Sequence, residues 1–207
     1  MTGLAGPLSL LLGYLLGSIP AGWLAGRWCA GVDLRDEGSG STGATNVLRV
    51  VGRGPALVVF LIDVGKGTAA VRLAALLVSG TTPAAAWWVV AAGLLALAGH
   101  IWPVWLGGRG GKAVATGLGV LLGISWSVGL ACLGVFLLSL SLSRIVSLSS
   151  VLATLSLPLL MLLKGSAPPA HLALAVLAMA VVLWRHRSNL QRLVKGQEPR
   201  LGSGSRP

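Results

Sequence analysis

The chain has 207 residues, 55% of them hydrophobic and only 10% charged, where a soluble domain carries about a quarter charged residues. No core at this length can hide so much Leu, Ala and Val, so the surplus apolar surface must face lipid, which excludes an ordinary soluble protein. Sixteen Lys and Arg against five Asp and Glu give a net charge of +11; because the bases sit in short loops beside apolar runs, they suit anionic headgroups and phosphorylated ligands rather than nucleic acid.

Leu4 to Trp23 reads as a first span, and with no basic leader ahead of it as one that is retained. Pro55 to Val78 is a second span, and Thr81-Thr82-Pro83 separates it from a third, Ala84 to Trp105. Ala113 to Ser141 is apolar for 29 residues, about 44 Å as a helix against a hydrocarbon core of about 30 Å. Gly123-Ile124-Ser125 offers a turn in its middle. Ser149 to Leu163 and His171 to Trp184 complete the set. Cys29 and Cys132 lack ligand spacing and read as buried free thiols, so no metal is expected.

Loop charge sets the orientation. Thirteen of the sixteen bases fall in alternate loops and the tail: Arg27, Arg35, Arg49, Arg53, Arg109, Lys112, Arg144, Arg185, Arg187, Arg192, Lys195, Arg200 and Arg206. Lys164 falls in an opposite loop, while Lys66 and Arg72 lie inside the second span. Gathering the thirteen on the cytoplasmic side requires the long segment to cross twice as short or tilted helices. The expected fold is thus an all-α polytopic membrane protein with seven transmembrane helices, N-terminus outside and C-terminus cytoplasmic; six spans is the alternative. Residues 1–198 read as one integral membrane domain and 199–207 as a flexible tail.

The first basic loop contains Gly38-Ser39-Gly40-Ser41-Thr42-Gly43-Ala44-Thr45-Asn46, followed by Arg49. Gly38, Gly40 and Gly43 fit a dinucleotide fingerprint, but no strand precedes them. Glycines nevertheless let backbone N–H groups approach an anion, the hydroxyls add donors, and Arg49 adds a fork suited to phosphate. Asp63 and Lys66, one turn apart in the second span, can neutralise each other, and both a structural and a functional role are open. His100-Ile-Trp-Pro-Val-Trp105 combines an interfacial aromatic belt with a candidate phosphate ligand or proton carrier in His100. Gly107-Gly-Arg-Gly-Gly-Lys112 resembles a P-loop but has Leu106 for the first glycine and Ala113 for the Ser or Thr, so nucleotide hydrolysis loses its support. Arg109, Gly110, Gly111 and Lys112 at the start of a helix still make an anion cradle. Ser141 to Ser150 carries alternate serines that line a polar surface or cap the next helix. Arg185 to Glu198 is basic and weakly amphipathic, as for a helix on anionic lipid.

Together GSGSTGATNVLR, DVGKG, GHIWPVWLGGRGGKAVAT, RIVSLSS and RHRSNLQRLVKGQE, in this order and spacing from about Gly17 to Glu198, resemble the bacterial glycerol-3-phosphate acyltransferases that use acyl phosphate, the PlsY family. The resemblance implies a multi-pass enzyme of the bacterial inner membrane with its site on the cytoplasmic face. Such an enzyme transfers a fatty acyl group from acyl phosphate to the 1-hydroxyl of sn-glycerol 3-phosphate. It releases lysophosphatidic acid and phosphate, the first committed step of phospholipid synthesis, and needs no cofactor. By the same resemblance Ser39, Arg49, Lys112 and Asn189 are the candidate catalytic residues. Gly38, Gly40, Asn46, His100, Arg109, Gly110, Gly111, Ser147, Ser149 and His186 are the candidate phosphate cradles. Ser41 stands where the family pattern has Asn, and Ala113 where it has Gly. The expected partners are the two substrates and membrane lipid; the oligomeric state is open, with a monomer expected. The rival class is a transporter of phosphorylated solutes, which calls for polar residues and broken helices at the midplane. Apart from Asp63, Lys66 and Arg72 the spans lack them.

Overall fold

In the computed structural model, which describes residues 4–78, 83–165 and 168–202, every regular element among the described residues is helical. The chain forms two compact units, Met1–Trp126 and Ser127–Pro207. The Thr81-Thr82 separator and the end of the tail lie outside the described residues.

The first unit begins with α1 (Ala5–Gly17) and α2 (Ala21–Ala30). The single first span expected over Leu4 to Trp23 is present as the stretch Ala5–Ala30, but its helix breaks at Ser18-Ile19-Pro20, because Pro20 has no N–H with which to continue it. α2 then runs past Trp23 and stops at Gly31, whose left-handed backbone (φ +68°) makes the C-terminal turn. Cys29, expected to be buried, is exposed near the end of this helix, whereas Cys132 is buried. A short α3 (Ala44–Val50) leads into α4 (Arg53–Val78), followed by α5 (Pro83–Ile101), a 3-10 turn at Val104–Leu106, and α6 (Val114–Ile124). Ser125 leaves helical geometry, so the long apolar segment breaks at the turn read from Gly123-Ile124-Ser125.

The patterning of α4 is inverted relative to a soluble helix. Its buried stripe holds Asp63, Lys66, Gly67, Ala70 and Ala74 beside Ala56, Val59 and Val71, while Leu57, Val58, Leu61, Ile62 and Leu76 are exposed, with Arg72 towards the helix end. Lipid explains this, since it accepts the leucines and rejects the charges, and small residues let helices approach closely. A Cβ on Gly119 of α6 would collide with the Val64 carbonyl, and one on Gly67 of α4 with the Thr116 carbonyl. Similarly, Gly13 and Gly17 of α1 abut the main chain of Ala92 and Ala96 in α5.

The second unit comprises α7 (Trp126–Ser143), α8 (Val146–Leu163), α9 (Pro169–Arg185) and α10 (Arg187–Val194). Among the described residues, four stretches are long and apolar enough to cross a bilayer: Ala5–Ala30, Ala84–Leu106, Trp126–Ser143 and Val146–Leu163. A fifth is added if α9 and α10, bent by 60° to each other, count as one. α4, with Asp63, Lys66 and Arg72 along it, is not among these, and α6 is a shorter apolar helix.

Candidate functional site

The loop from Gly31 to Gly43 is built by two side chains. Asp33 receives Arg35 as a fork, Nε to Oδ1 at 2.9 Å and Nη2 to Oδ2 at 2.7 Å, together with the Arg35 backbone N–H at 3.0 Å. Trp23 Nε1 and Arg27 Nη2 also donate to Asp33 Oδ2, at 3.1 and 3.2 Å. The Arg35 hydrogen bonds hold the Asp33 carboxyl well below the usual carboxylate range, overcoming an upward push from burial. The carboxylate in turn raises Arg35. Asn46, 1% exposed, is the second builder. Its Oδ1 accepts from the Ser39 N–H at 2.9 Å, and its Nδ2 donates to the carbonyls of Leu34 (3.2 Å) and Glu37 (3.0 Å). Gly38 and Gly40 take φ of +58° and +67°, and a side chain on Gly38 would strike Asn46. The result is a tight turn that presents an exposed Ser39, with Arg49 exposed on the adjoining α3.

The second glycine-rich loop folds back on the end of α5. The Gly110 and Gly111 N–H groups donate to the carbonyls of Ile101 (3.1 Å) and His100 (3.0 Å). Gly111 lies so close under the His100 ring that a Cβ there would collide with Nε2. His100 Nδ1 lies 3.1 Å from Thr116 Oγ1 and 3.5 Å from Asp63 Oδ1. Asp63 pairs with Lys66 Nζ at 2.8 Å, and that ammonium also donates to the Ile19 carbonyl at 3.0 Å. Arg109 is exposed and Lys112 half-buried. The loop was expected at a helix start, and it runs directly into one: α6 begins at Val114, with Ala113 as its N-cap at a left-handed φ of +60°.

The two loops meet. Arg35 Nη1 donates to the Leu106 carbonyl at 3.3 Å. Thr42 from the first loop, His100 at the end of α5, Pro103 just after it, Asp63 and Lys66 from α4, and the Gly17–Gly22 break line a common recess.

In the second unit the polar cluster centres on Glu198, which is almost fully buried. Its Oε1 accepts from Ser147 Oγ (2.8 Å) and Asn189 Nδ2 (2.6 Å), and its Oε2 from Arg192 Nε (2.7 Å). Burial pushes this carboxyl up, but the three hydrogen bonds and the Arg192 charge outweigh it and hold Glu198 below its ordinary value. His186 Nδ1 faces the Val182 carbonyl at 2.8 Å at the bend between α9 and α10. Ser149, read as a loop residue, lies inside α8 and returns its hydroxyl to the Ile145 carbonyl at 2.9 Å.

The sequence-predicted residues therefore divide. Ser39, Arg49, Gly38, Gly40, Asn46, His100, Arg109, Gly110, Gly111 and Lys112 all belong to the first unit, and Ser147, Ser149, His186 and Asn189 to the second. Asn46 builds the loop it was expected to serve as a ligand. Asp33, Arg35, Thr116 and Glu198 were not singled out. An Asp two residues before Arg, the Asx-turn spacing, was the available signal for the first two.

The sequence model described as "Glycerol-3-phosphate acyltransferase" matches residues 7–196. The chain belongs to the glycerol-3-phosphate acyltransferase family. A relative of that name from Prochlorococcus marinus (strain MIT 9313) is 70% identical over 200 residues, 96% of each chain. Another from Synechococcus sp. (strain CC9902) is 65% identical over 195 residues, 94% of each. Among solved structures, PlsY (YgiH), described as an integral membrane glycerol 3-phosphate acyltransferase, superimposes in its glycerol 3-phosphate form with a TM-score of 0.89 at 38% identity over 96% of each chain. Its lysphosphatidic acid form gives 0.86 at 37% identity, again over 96% of each. The protein is accordingly a multi-pass integral membrane acyltransferase.

Proposed function

We propose that the protein transfers a fatty acyl group from acyl phosphate to the 1-hydroxyl of sn-glycerol 3-phosphate, giving 1-acyl-glycerol 3-phosphate and phosphate, the first committed step of phospholipid synthesis. The observation that carries this reading is that two glycine-rich loops, each held in shape by buried side chains, are brought together by the Arg35 to Leu106 hydrogen bond, beside a recess lined by Thr42, Asp63, Lys66 and His100. Two anionic substrates call for two cradles, and Arg49 and Lys112 are the cations we assign to them. In the second unit, Ser147, Ser149, His186 and Asn189 are the further residues we assign to phosphate binding.

Acyl phosphate is a mixed anhydride and already activated, so no nucleophilic side chain is demanded. Holding the hydroxyl against the acyl carbon supplies rate by proximity, and loop N–H groups or Ser39 stabilise the oxyanion. As the ester bond forms and the C–O bond to phosphate breaks, the departing phosphate takes the hydroxyl proton, which balances the step. Ser39 in this reading donates or orients and forms no acyl-enzyme. The charge distribution supports seven crossings of a bacterial inner membrane, N-terminus outside, with the site and C-terminus on the cytoplasmic side.

The test is purified protein supplied with acyl phosphate and glycerol 3-phosphate and scored for phosphate release. Release that depends on both substrates is expected. Absence of release combined with solute uptake into vesicles would favour the transporter instead, and trapping an acylated Ser39 in a single turnover would overturn its assigned role.

A further inference from the structure

Asp63 and Lys66 face each other at 2.8 Å with 2% and 5% of their surface exposed, inside a helix whose other face is leucine and valine. A pair this deep is not explained by stability. Desolvating two charges takes several kcal/mol per ion, and apolar residues of similar volume commonly do as well or better. Each member of the pair, however, also reaches outward. Lys66 donates to the Ile19 carbonyl, which sits in the break that Pro20 imposes between α1 and α2. Asp63 faces His100 Nδ1, with Thr116 Oγ1 on the same nitrogen. The imidazole is thereby fixed from α4 and α6, and its opposite edge, Nε2, rests against Gly111. The His100 carbonyl receives the Gly111 N–H, so ring and backbone of one residue set the course of the loop leading to Lys112.

We propose that Asp63 and Lys66 are positioning residues. Acting through His100 they hold the Gly110-Gly111-Lys112 loop in its phosphate-binding shape, and through Ile19 they hold the α1–α2 break in register with it. Both residues also line the recess, and the role assigned to them there is positioning rather than substrate contact. This rests on the acyl-transfer reading, because the consequence is read as substrate affinity.

The experiment is steady-state kinetics with each substrate varied in turn, on purified protein in detergent, together with thermal stability. Asp63→Asn combined with Lys66→Met removes both charges together and so leaves no orphaned ion. The double variant is expected to fold, with KM for one phosphorylated substrate raised at least tenfold, KM for the other unchanged and kcat lowered less than threefold. Thr116→Val, which removes one hydroxyl at constant volume, is expected to raise the same KM about threefold, and Thr116→Ser to restore it. A folded double variant with both KM values within twofold of the parent would overturn the proposal, as would an equal rise in both or a loss confined to kcat. Should the double variant not fold, Thr116→Val decides: an unchanged KM, or a rise that Thr116→Ser fails to reverse, sinks the idea. If the parent protein itself releases no phosphate from acyl phosphate with glycerol 3-phosphate, the acyl-transfer reading fails instead.

Discussion

Asn46 offers a direct contest between two roles, phosphate contact and loop clamp. Replacing it with Ala removes three hydrogen bonds to buried or half-buried backbone groups at Ser39, Leu34 and Glu37. At about 1 kcal/mol net for each, the loop loses about 3 kcal/mol of its resistance to opening. Asn46→Asp keeps the acceptor for the Ser39 N–H but turns the two donations into oxygen facing oxygen, a loss of at least about 2 kcal/mol. Hydrogen exchange read by mass spectrometry measures this locally, because amide protection tracks the free energy of opening. Protection of the Ser39 amide, and of the Gly40 amide bonded to the Glu37 carbonyl, should fall roughly 100-fold in the Ala variant and roughly 30-fold or more in the Asp variant. Exchange away from residues 33–46 should not change. If protection were intact in both variants while KM rose, Asn46 would be a ligand contact and the clamp reasoning would be wrong.

Arg49 is exposed, so Arg49→Ala should leave thermal stability within about 0.5 kcal/mol. It should nevertheless lower kcat/KM by about 10–150-fold, the value of a charged hydrogen bond of about 1.5–3 kcal/mol, with Arg49→Lys intermediate in the acyltransferase assay. Gly119→Ala drives a methyl into the Val64 carbonyl and should destabilise the α4–α6 packing by about 1–3 kcal/mol, seen as a lowered Tm in detergent; an unchanged Tm would mean the two helices separate without penalty. Glu198 has its folded pKa held below the ordinary 4.5, so its contribution is present above that pH and is lost as pH falls through the folded value. Pepsin cleavage near residues 192–202 should therefore accelerate as the pH is lowered below about 4.5, and Glu198→Gln should cleave quickly across that range with little further pH dependence.

What was legible in the sequence was whatever lipid or glycine imposes directly. Apolar surplus announced the membrane, the break at Ser125 followed from a segment too long for one crossing, and the Gly38 and Gly40 turn followed from residues free to take positive φ. The Asp63–Lys66 pair was visible from spacing, because two opposite charges one turn apart in a span can relieve each other, whereas their further partners, His100 and the Ile19 carbonyl, were not. The interruption of the first span was missed, although Pro20 marked it. The apolar run continues through Pro20, and hydropathy does not register a missing N–H.

The candidate site was less legible for a specific physical reason. A polar side chain in a glycine-rich loop can face a ligand or face its own backbone, and composition is the same in both cases. Asn46 and Ser149 turn to backbone, and Ser147 and Asn189 turn to Glu198. That choice depends on carbonyls brought near only by the fold, such as Leu34 and Glu37 twelve and nine residues before Asn46. Exposed cations carry no such ambiguity. Among the described residues Arg49 has no carboxylate at ion-pair distance, whereas Arg35 and Arg192 are already matched to Asp33 and Glu198. Of the basic residues the sequence gathered on one face, those already holding a carboxylate build the loops. On the acyl-transfer reading we propose that exposed Arg49 meets a phosphate, so its loss should appear in affinity and rate before it appears in stability.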